Sequence, residues 1–260
     1  IFYLFFTLKY LKDSLSKLNL NYKILDLTIL ILGVGISYYA FERYSMSHVY
    51  ESFSLTMLIY FSIKFYHDKN KSSAIFIPIF AVLGFSVKWV HYYLFLIPLI
   101  IKFIFFSKND FRLRDFKEFW ISLICSSSVF LLVNKLIYGV YTINPAFVYI
   151  SDTESNVKIE DLDGFWGNAV QILLEFINRF MIILFTQEFG LLWFSPIIFI
   201  GTALSLIYLV QSLTKNRYKI FGALLLSLSF AQVIFITILW KSPGSGYGFR
   251  YTYNLFPIAI

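Results

Sequence analysis

Charge is what this chain has least of. Only 14% of its 260 residues are Asp, Glu, Lys or Arg, where an average soluble chain carries about 25%. Cysteine is nearly missing as well. Cys125 stands alone in an apolar run, which excludes an internal disulfide and a cysteine metal site. A disordered chain, a disulfide scaffold and a nucleic-acid-binding domain are all disfavoured by these shortages. No strand–turn–helix context is present, so neither a Walker loop nor a dinucleotide fingerprint is implied.

What fills the space is apolar. Hydrophobic residues make up 58% of the chain, with 31 Phe and 19 Tyr among them. The mean hydropathy is +0.71. A helix that crosses a bilayer needs about 20 mostly apolar residues, and the sequence supplies several such runs. The expected fold is therefore an all-α polytopic membrane protein in a single transmembrane domain. Its membrane segments are predicted at 1–8, 24–41, 48–66, 74–87, 89–106, 119–138, 196–213, 220–240 and 254–260. The opening IFYLFF reads as entered in mid-helix, so further residues are expected before Ile1. The run Ala74–Phe106 is too long for one crossing, since 33 residues of helix reach roughly 50 Å. Lys88, Trp89 and His91 divide it, with a polar turn between two crossings. Ser195-Pro196 supplies an N-cap residue followed by proline at the first helical position.

Basic residues set the orientation. Lys9, Lys12, Lys17 and Lys23 form one group, and Lys64, Lys69 and Lys71 a second. Lys102, Lys108, Arg112, Arg114 and Lys117 form a third, with Lys215, Arg217 and Lys219 as a fourth. These hold fifteen of the 22 basic residues, and they alternate with loops poor in Lys and Arg. Under the positive-inside rule the four groups are cytoplasmic. The net charge of +7 is thus a topological signal, and no nucleic-acid partner is implied. The opposite side receives 43–51, the Lys88–His91 turn, an outer loop over 139–164 and the segment 241–253. Residues 165–185 carry Asn168, Gln171, Glu175 and Asn178-Arg179 along one helical face. An interfacial or re-entrant amphipathic helix satisfies that spacing and keeps the fourth basic group inside.

Three polar groups gather on the outer side. Glu51 follows His48 by three residues, so a helix puts both on one face, near Glu42 and Arg43. Such a pair can bind a metal or a phosphate-bearing substrate, shuttle a proton, or simply form an interfacial polar turn; two candidate ligands are few for a metal. Lys88, with His91, Tyr92 and Tyr93, can hold a phosphate as a point charge or snorkel within an aromatic belt. The third group, Trp240 to Tyr251, has Gly244, Gly246 and Gly248 at alternate positions, followed by Arg250. Its glycines let backbone amides approach a ligand, and Arg250 can grip phosphate oxygens bidentately. The carboxylates between Asp152 and Asp163 read as a solvated loop. Asn134, Tyr138 and Gly139 mark the exit of the 119–138 segment.

Four stretches, in order, resemble the membrane-embedded GT-C glycosyltransferases, the superfamily of protein O-mannosyltransferases and bacterial aminoarabinose transferases. They are Ser45-Met-Ser-His48 with Ser54-Leu55, Asn134-Lys-Leu-Ile-Tyr-Gly139 with Tyr149, Phe189-Gly-Leu-Leu-Trp-Phe-Ser-Pro196, and Trp240 through Arg250-Tyr251 to Pro257. Lys88 departs from the arginine that relatives often carry, and Lys241-Ser-Pro243 is an unusual interruption. The resemblance implies a GT-C-like multi-helix bundle that transfers a sugar from a polyprenyl-phosphate-linked donor to a lipid, glycan or protein acceptor at the extracytoplasmic face. It implies an acidic catalytic base in a loop upstream of Ile1. Within the chain it implies donor-phosphate contacts at Arg250, Lys88, Gly246 and Gly248, and a pocket lined by His48, Glu51, His91 and Tyr251. No metal and no cofactor is expected. The partners are the polyprenyl-phosphate donor and membrane lipid, in a multi-pass integral protein of the plasma or inner membrane. The competing classes are a non-enzymatic transporter or lipid flippase, and a glycan polymerase or ligase of similar architecture. The absence of an internal repeat and the clustering of polar groups at one face favour chemistry over translocation.

Overall fold

The computed structural model describes residues 2–20, 22–32, 36, 47–88, 91–108, 110–143, 174, 177–178, 180–187, 190–213, 216–239 and 255–260. The described residues fold as helices, and no strand occurs among them. In chain order the helices are α1 (Phe2–Lys17), α2 (Ile24–Leu32), α3 (His48–His67), α4 (Ser73–Val87), α5 (Ile97–Phe105) and α6 (Lys117–Tyr138). They are followed by the single turn α7 (Leu191–Phe194), then α8 (Pro196–Ser212), α9 (Arg217–Leu239) and α10 (Phe256–Ala259).

Helix limits follow the apolar runs closely from α3 onward. The clearest difference is α1. The apolar run ends at Leu8, yet the helix continues to Lys17 and carries Lys9, Lys12 and Lys17 on its own turns. Leucine and lysine are good helix formers, and Leu11 and Leu15 are buried against the neighbouring helices. The first basic group therefore begins within a helix rather than in a loop. A second difference lies in 89–106. Its first part is a 3₁₀ turn, Tyr92–Leu96, and only Ile97–Phe105 is α-helical. A third concerns Ser195. The helix α8 does start at Pro196, but the Ser195 hydroxyl makes no capping bond; its carbonyl instead receives the amides of Ile198 and Phe199. Of the 165–185 segment, residues 180–185 are helical. Its polar positions Asn168, Gln171, Glu175 and Arg179 lie outside the described residues, as do the loop over 144–164, Trp89 and residues 240–254.

Ring contacts fix the directions of the central helices. Tyr3 meets Tyr50 and Phe53 at 4.7 and 5.3 Å, Tyr10 meets Tyr60 at 4.8 Å, and Lys17 Nζ reaches Asp68 Oδ2 at 2.5 Å. Matching positions thus advance together, and α1 runs parallel to α3. The short turn at 68–72 returns the chain as α4, antiparallel to α3. Helix α6 runs parallel to α4 at the margin of the bundle, with Ser122 Oγ donating to the Ile75 carbonyl at 2.6 Å and Phe130 against Phe85 at 5.5 Å. It ends at Gly139, whose φ of +75° is the left-handed conformation that glycine adopts without strain. Asn134, the buried amide of that exit, donates to the Thr142 carbonyl at 2.7 Å and ties the departing chain to the helix.

The same contacts collect the basic groups at one end. Asp68 joins Lys17 to the end of α3. Although partial burial raises its pKa, hydrogen bonds from Lys17 and His67 prevail and hold its carboxyl below the usual range. Phe65 packs on Phe111 and Phe116, Tyr66 on Phe106, and Phe103 on Tyr218. The termini bearing Lys17, Lys69, Lys108 and Lys219 are therefore neighbours.

Two described helices, Lys117–Tyr138 and Arg217–Ile234 within α9, are long and apolar enough to cross a membrane. The first is no core helix: only 11% of its apolar window is buried, and Ile124, Leu136 and Ile137 are 65%, 84% and 64% exposed. Soluble monomers rarely leave so much apolar side chain of one helix open to water. The apolar helices α4 and α8 fall short of that length, as does the run Tyr92–Phe105.

Candidate functional site

The hairpin of α3 and α4 brings two separate sequence clusters into contact. Glu51 lies in the first turn of α3, and Lys88 follows the last turn of α4 at a matching distance from the turn that joins them. Lys88 leaves the helix in an extended conformation, φ −157° and ψ 105°. The His91 amide then donates to the Lys88 carbonyl at 3.1 Å, and the Leu94 amide to the His91 carbonyl at 3.2 Å. This folds the chain back over the hairpin into the 3₁₀ turn. Gly84 permits the closure: a Cβ there would stand 2.6 Å from Leu94 Cδ1 and 3.3 Å from Ser54 Cβ.

Glu51 is the centre of the cluster and is 2% exposed. His91 Nε2 donates to its Oε2 at 2.9 Å. His48 Nδ1, one turn earlier on α3, stands 3.7 Å from Oε1, and Lys88 Nζ stands 3.9 Å from the same oxygen. The Ser47 hydroxyl donates to Oε1 as well. Ser47 occupies the N-cap position of α3, yet its side chain serves the carboxylate and leaves the helix amides alone. An isolated buried carboxylate would be very costly; here one carboxylate faces a lysine and two histidines. With Lys88 protonated the pair is neutral, and the two histidines complete the polar contacts of the carboxylate. Lys88 is the member of the cluster that reaches furthest toward the surface, with its side chain 17% exposed. The bond from His91 also fixes which ring nitrogen carries the proton, since a carboxylate can only accept.

Of the residues singled out in the sequence, His48, Glu51, Lys88 and His91 come together here. Arg250, Gly246, Gly248 and Tyr251 lie outside the described residues. Ser47 was not singled out as a site residue; its signal was the Ser-x-x-x-Glu spacing, which puts hydroxyl and carboxylate one turn apart. Among the described residues no three His, Cys, Asp or Glu side chains form a metal-binding group.

An apolar groove of about 700 Å³ runs between α4 and α6, bounded by Ile75, Ile79, Leu83 and Ser86 on one wall and by Ile121, Val129 and Val133 on the other. Ser86 brings it to within two residues of Lys88.

No protein-family model, curated protein or solved structure matches this chain.

Proposed function

We propose that the protein is a multi-pass membrane glycosyltransferase that uses a polyprenyl-phosphate-linked sugar at the extracytoplasmic face. The observation that carries this reading is the buried Glu51–Lys88–His91–His48 cluster, set at the end of the bundle away from the basic termini. A lipid phosphate held beside Lys88 and His91 would leave its apolar tail within reach of the α4–α6 groove. The four stretches that resemble the GT-C enzymes support the same assignment.

In that chemistry an acceptor hydroxyl attacks the anomeric carbon. The bond from that carbon to the phosphate oxygen breaks, and the phosphate leaves with the electron pair. The hydroxyl proton passes to a carboxylate base. Lys88 stabilises the charge that grows on the leaving phosphate, an electrostatic contribution whose loss typically costs about 10²–10³ in rate, and His91 braces Glu51 beside it. Glu51 positions both of them, and Arg250 is assigned to the same phosphate on the strength of the resemblance.

The test is transfer in lipid nanodiscs by the full-length protein, with a radiolabelled polyprenyl-phosphate sugar. Lys88→Ala and His91→Ala are expected to stop release of polyprenyl phosphate when compared at equal amounts of folded protein in the discs. Donor that moves between leaflets with its sugar still attached would overturn transfer in favour of a flippase.

A further inference from the structure

At the opposite end of the bundle lies a polar cavity, far from the Glu51 cluster and unused by the proposed chemistry. It holds about 370 Å³ between the last turn of α5, the segment 107–115 and the first turn of α9. Lys102, Arg112 and Arg114 line it, with Asp110 as the acidic residue on its wall. Asp115 stands beside it, 3.8 Å from Arg114 Nε in an exposed contact. A neighbouring cavity of about 920 Å³ shares Ser107 and Asp110 with the first and adds Lys69, Lys108 and Lys219. Six cations thus line the two adjoining cavities, with Asp110 common to both.

The walls are apolar and aromatic. Phe103 and Tyr218 stack with planes 6° apart and centroids at 6.1 Å, joining α5 to α9. Lys102 Nζ stands 6.0 Å from the ring centroid of Tyr66. Leu99 lines the first cavity and Phe105 the second; both are largely exposed, at 42% and 49%. The cationic floor thus opens directly onto the apolar flank of α5. That pairing suits an amphiphile whose charged head and hydrocarbon chains leave the same point, and a soluble anion would have no use for the flank.

We propose that this basic pocket binds the phosphate headgroup of an anionic membrane phospholipid, whose acyl chains lie along the exposed face of α5. Basic pockets between membrane helices on the cytoplasmic side are suited to such headgroups. A purely topological role would need the same charges only somewhere in their loops. It gives no reason for Lys102, Arg112 and Arg114 to line one cavity, where a bound phosphate would offset their mutual repulsion. The inference rests on the membrane reading above and is independent of sugar transfer.

The experiment is native mass spectrometry of the full chain released from nanodiscs containing equal phosphatidylglycerol and phosphatidylcholine. The intact protein is expected to retain phosphatidylglycerol preferentially. The triple variant K102Q/R112Q/R114Q is expected to lose that preference by on the order of tenfold or more. K135Q, which removes a charge at the other end of α6, is expected to keep it. If the triple variant does not fold, K102Q alone should still show a several-fold loss. Equal retention of both lipids by the intact protein, or an unchanged preference in the variants, would overturn the proposal. Displacement of phosphatidylglycerol by millimolar inorganic pyrophosphate would assign the pocket to a soluble anion instead. Retention of no lipid would count against the membrane reading itself.

Discussion

At the scale of single residues, the unusual expense is a carboxylate placed 2% exposed among apolar helices. The arrangement holds because its partners share one cost. Glu51 without Lys88 would be a buried anion supported by histidines, and Lys88 without Glu51 a half-buried cation. Removing one member of such a pair is typically destabilising by about 3–5 kcal/mol, much of it the burden left on the survivor. Glu51→Gln should therefore lower the thermal midpoint in detergent markedly, and Lys88→Gln should do so as well. The double variant should be less destabilised than the two singles together, with a coupling of about 0.5–3 kcal/mol. Strict additivity would mean that the 3.9 Å contact carries no energy and that His91 and Ser47 hold the carboxylate without it. Little of this was visible in the sequence. The three-residue spacing of His48 and Glu51 put both on one helical face, and charge alternation put Lys88 on the same side. The ion pair itself depends on the register of α3 against α4, which spacing along the chain does not contain.

At the scale of elements, that register is set by close packing at Gly84. Its missing side chain lets Ser54 of α3 and Leu94 of the 3₁₀ turn meet over the same spot, so that Lys88 and His91 are delivered to Glu51. Gly84→Ala should cost about 1–3 kcal/mol through overpacking, read by reversible unfolding in mixed micelles. Because the nearest atom is the end of the Leu94 side chain, G84A/L94A should recover part of the G84A loss. Full additivity of the two costs would show that something other than this contact calls for glycine at position 84. Elements were the most legible level. Apolar runs at 48–66, 119–138 and 196–213 foreshadow helices at 48–67, 117–138 and 196–212, because burial and backbone satisfaction reward helices wherever twenty apolar residues follow one another. The failures have physical causes too. Hydropathy ends α1 at Leu8, but helix propensity and the buried Leu11 and Leu15 extend it. Hydropathy also joins 89–106 into one segment, although the fold-back that carries His91 to Glu51 tightens its first part to a 3₁₀ turn.

At the scale of the molecule, two gradients coincide. The termini bearing Lys17, Lys69, Lys108 and Lys219 meet at one end through Lys17–Asp68 and the Phe65, Tyr66 and Phe103 ring contacts. The Glu51 cluster and the Gly139 exit of α6 lie at the other. Between them α6 leaves Ile124, Leu136 and Ile137 exposed on more than one side of the helix, an exposure that a bilayer accommodates better than water does. If the bundle crosses a membrane, cysteines at the two ends must differ in access, and the positive-inside rule says which is which. The native thiol, Cys125, is exposed and is first replaced by serine. Tyr141→Cys, just past Gly139 at a position 65% exposed, should then react in intact cells with a membrane-impermeant maleimide. Lys69→Cys and Lys108→Cys should react only after the membrane is opened. Labelling of all three from outside would remove the membrane between them, and with it both the outer sugar-transfer site and the inner lipid pocket. Labelling with the sides exchanged would keep the crossing but turn the Glu51 cluster toward the cytosol, where a donor presented at the outer leaflet cannot reach it.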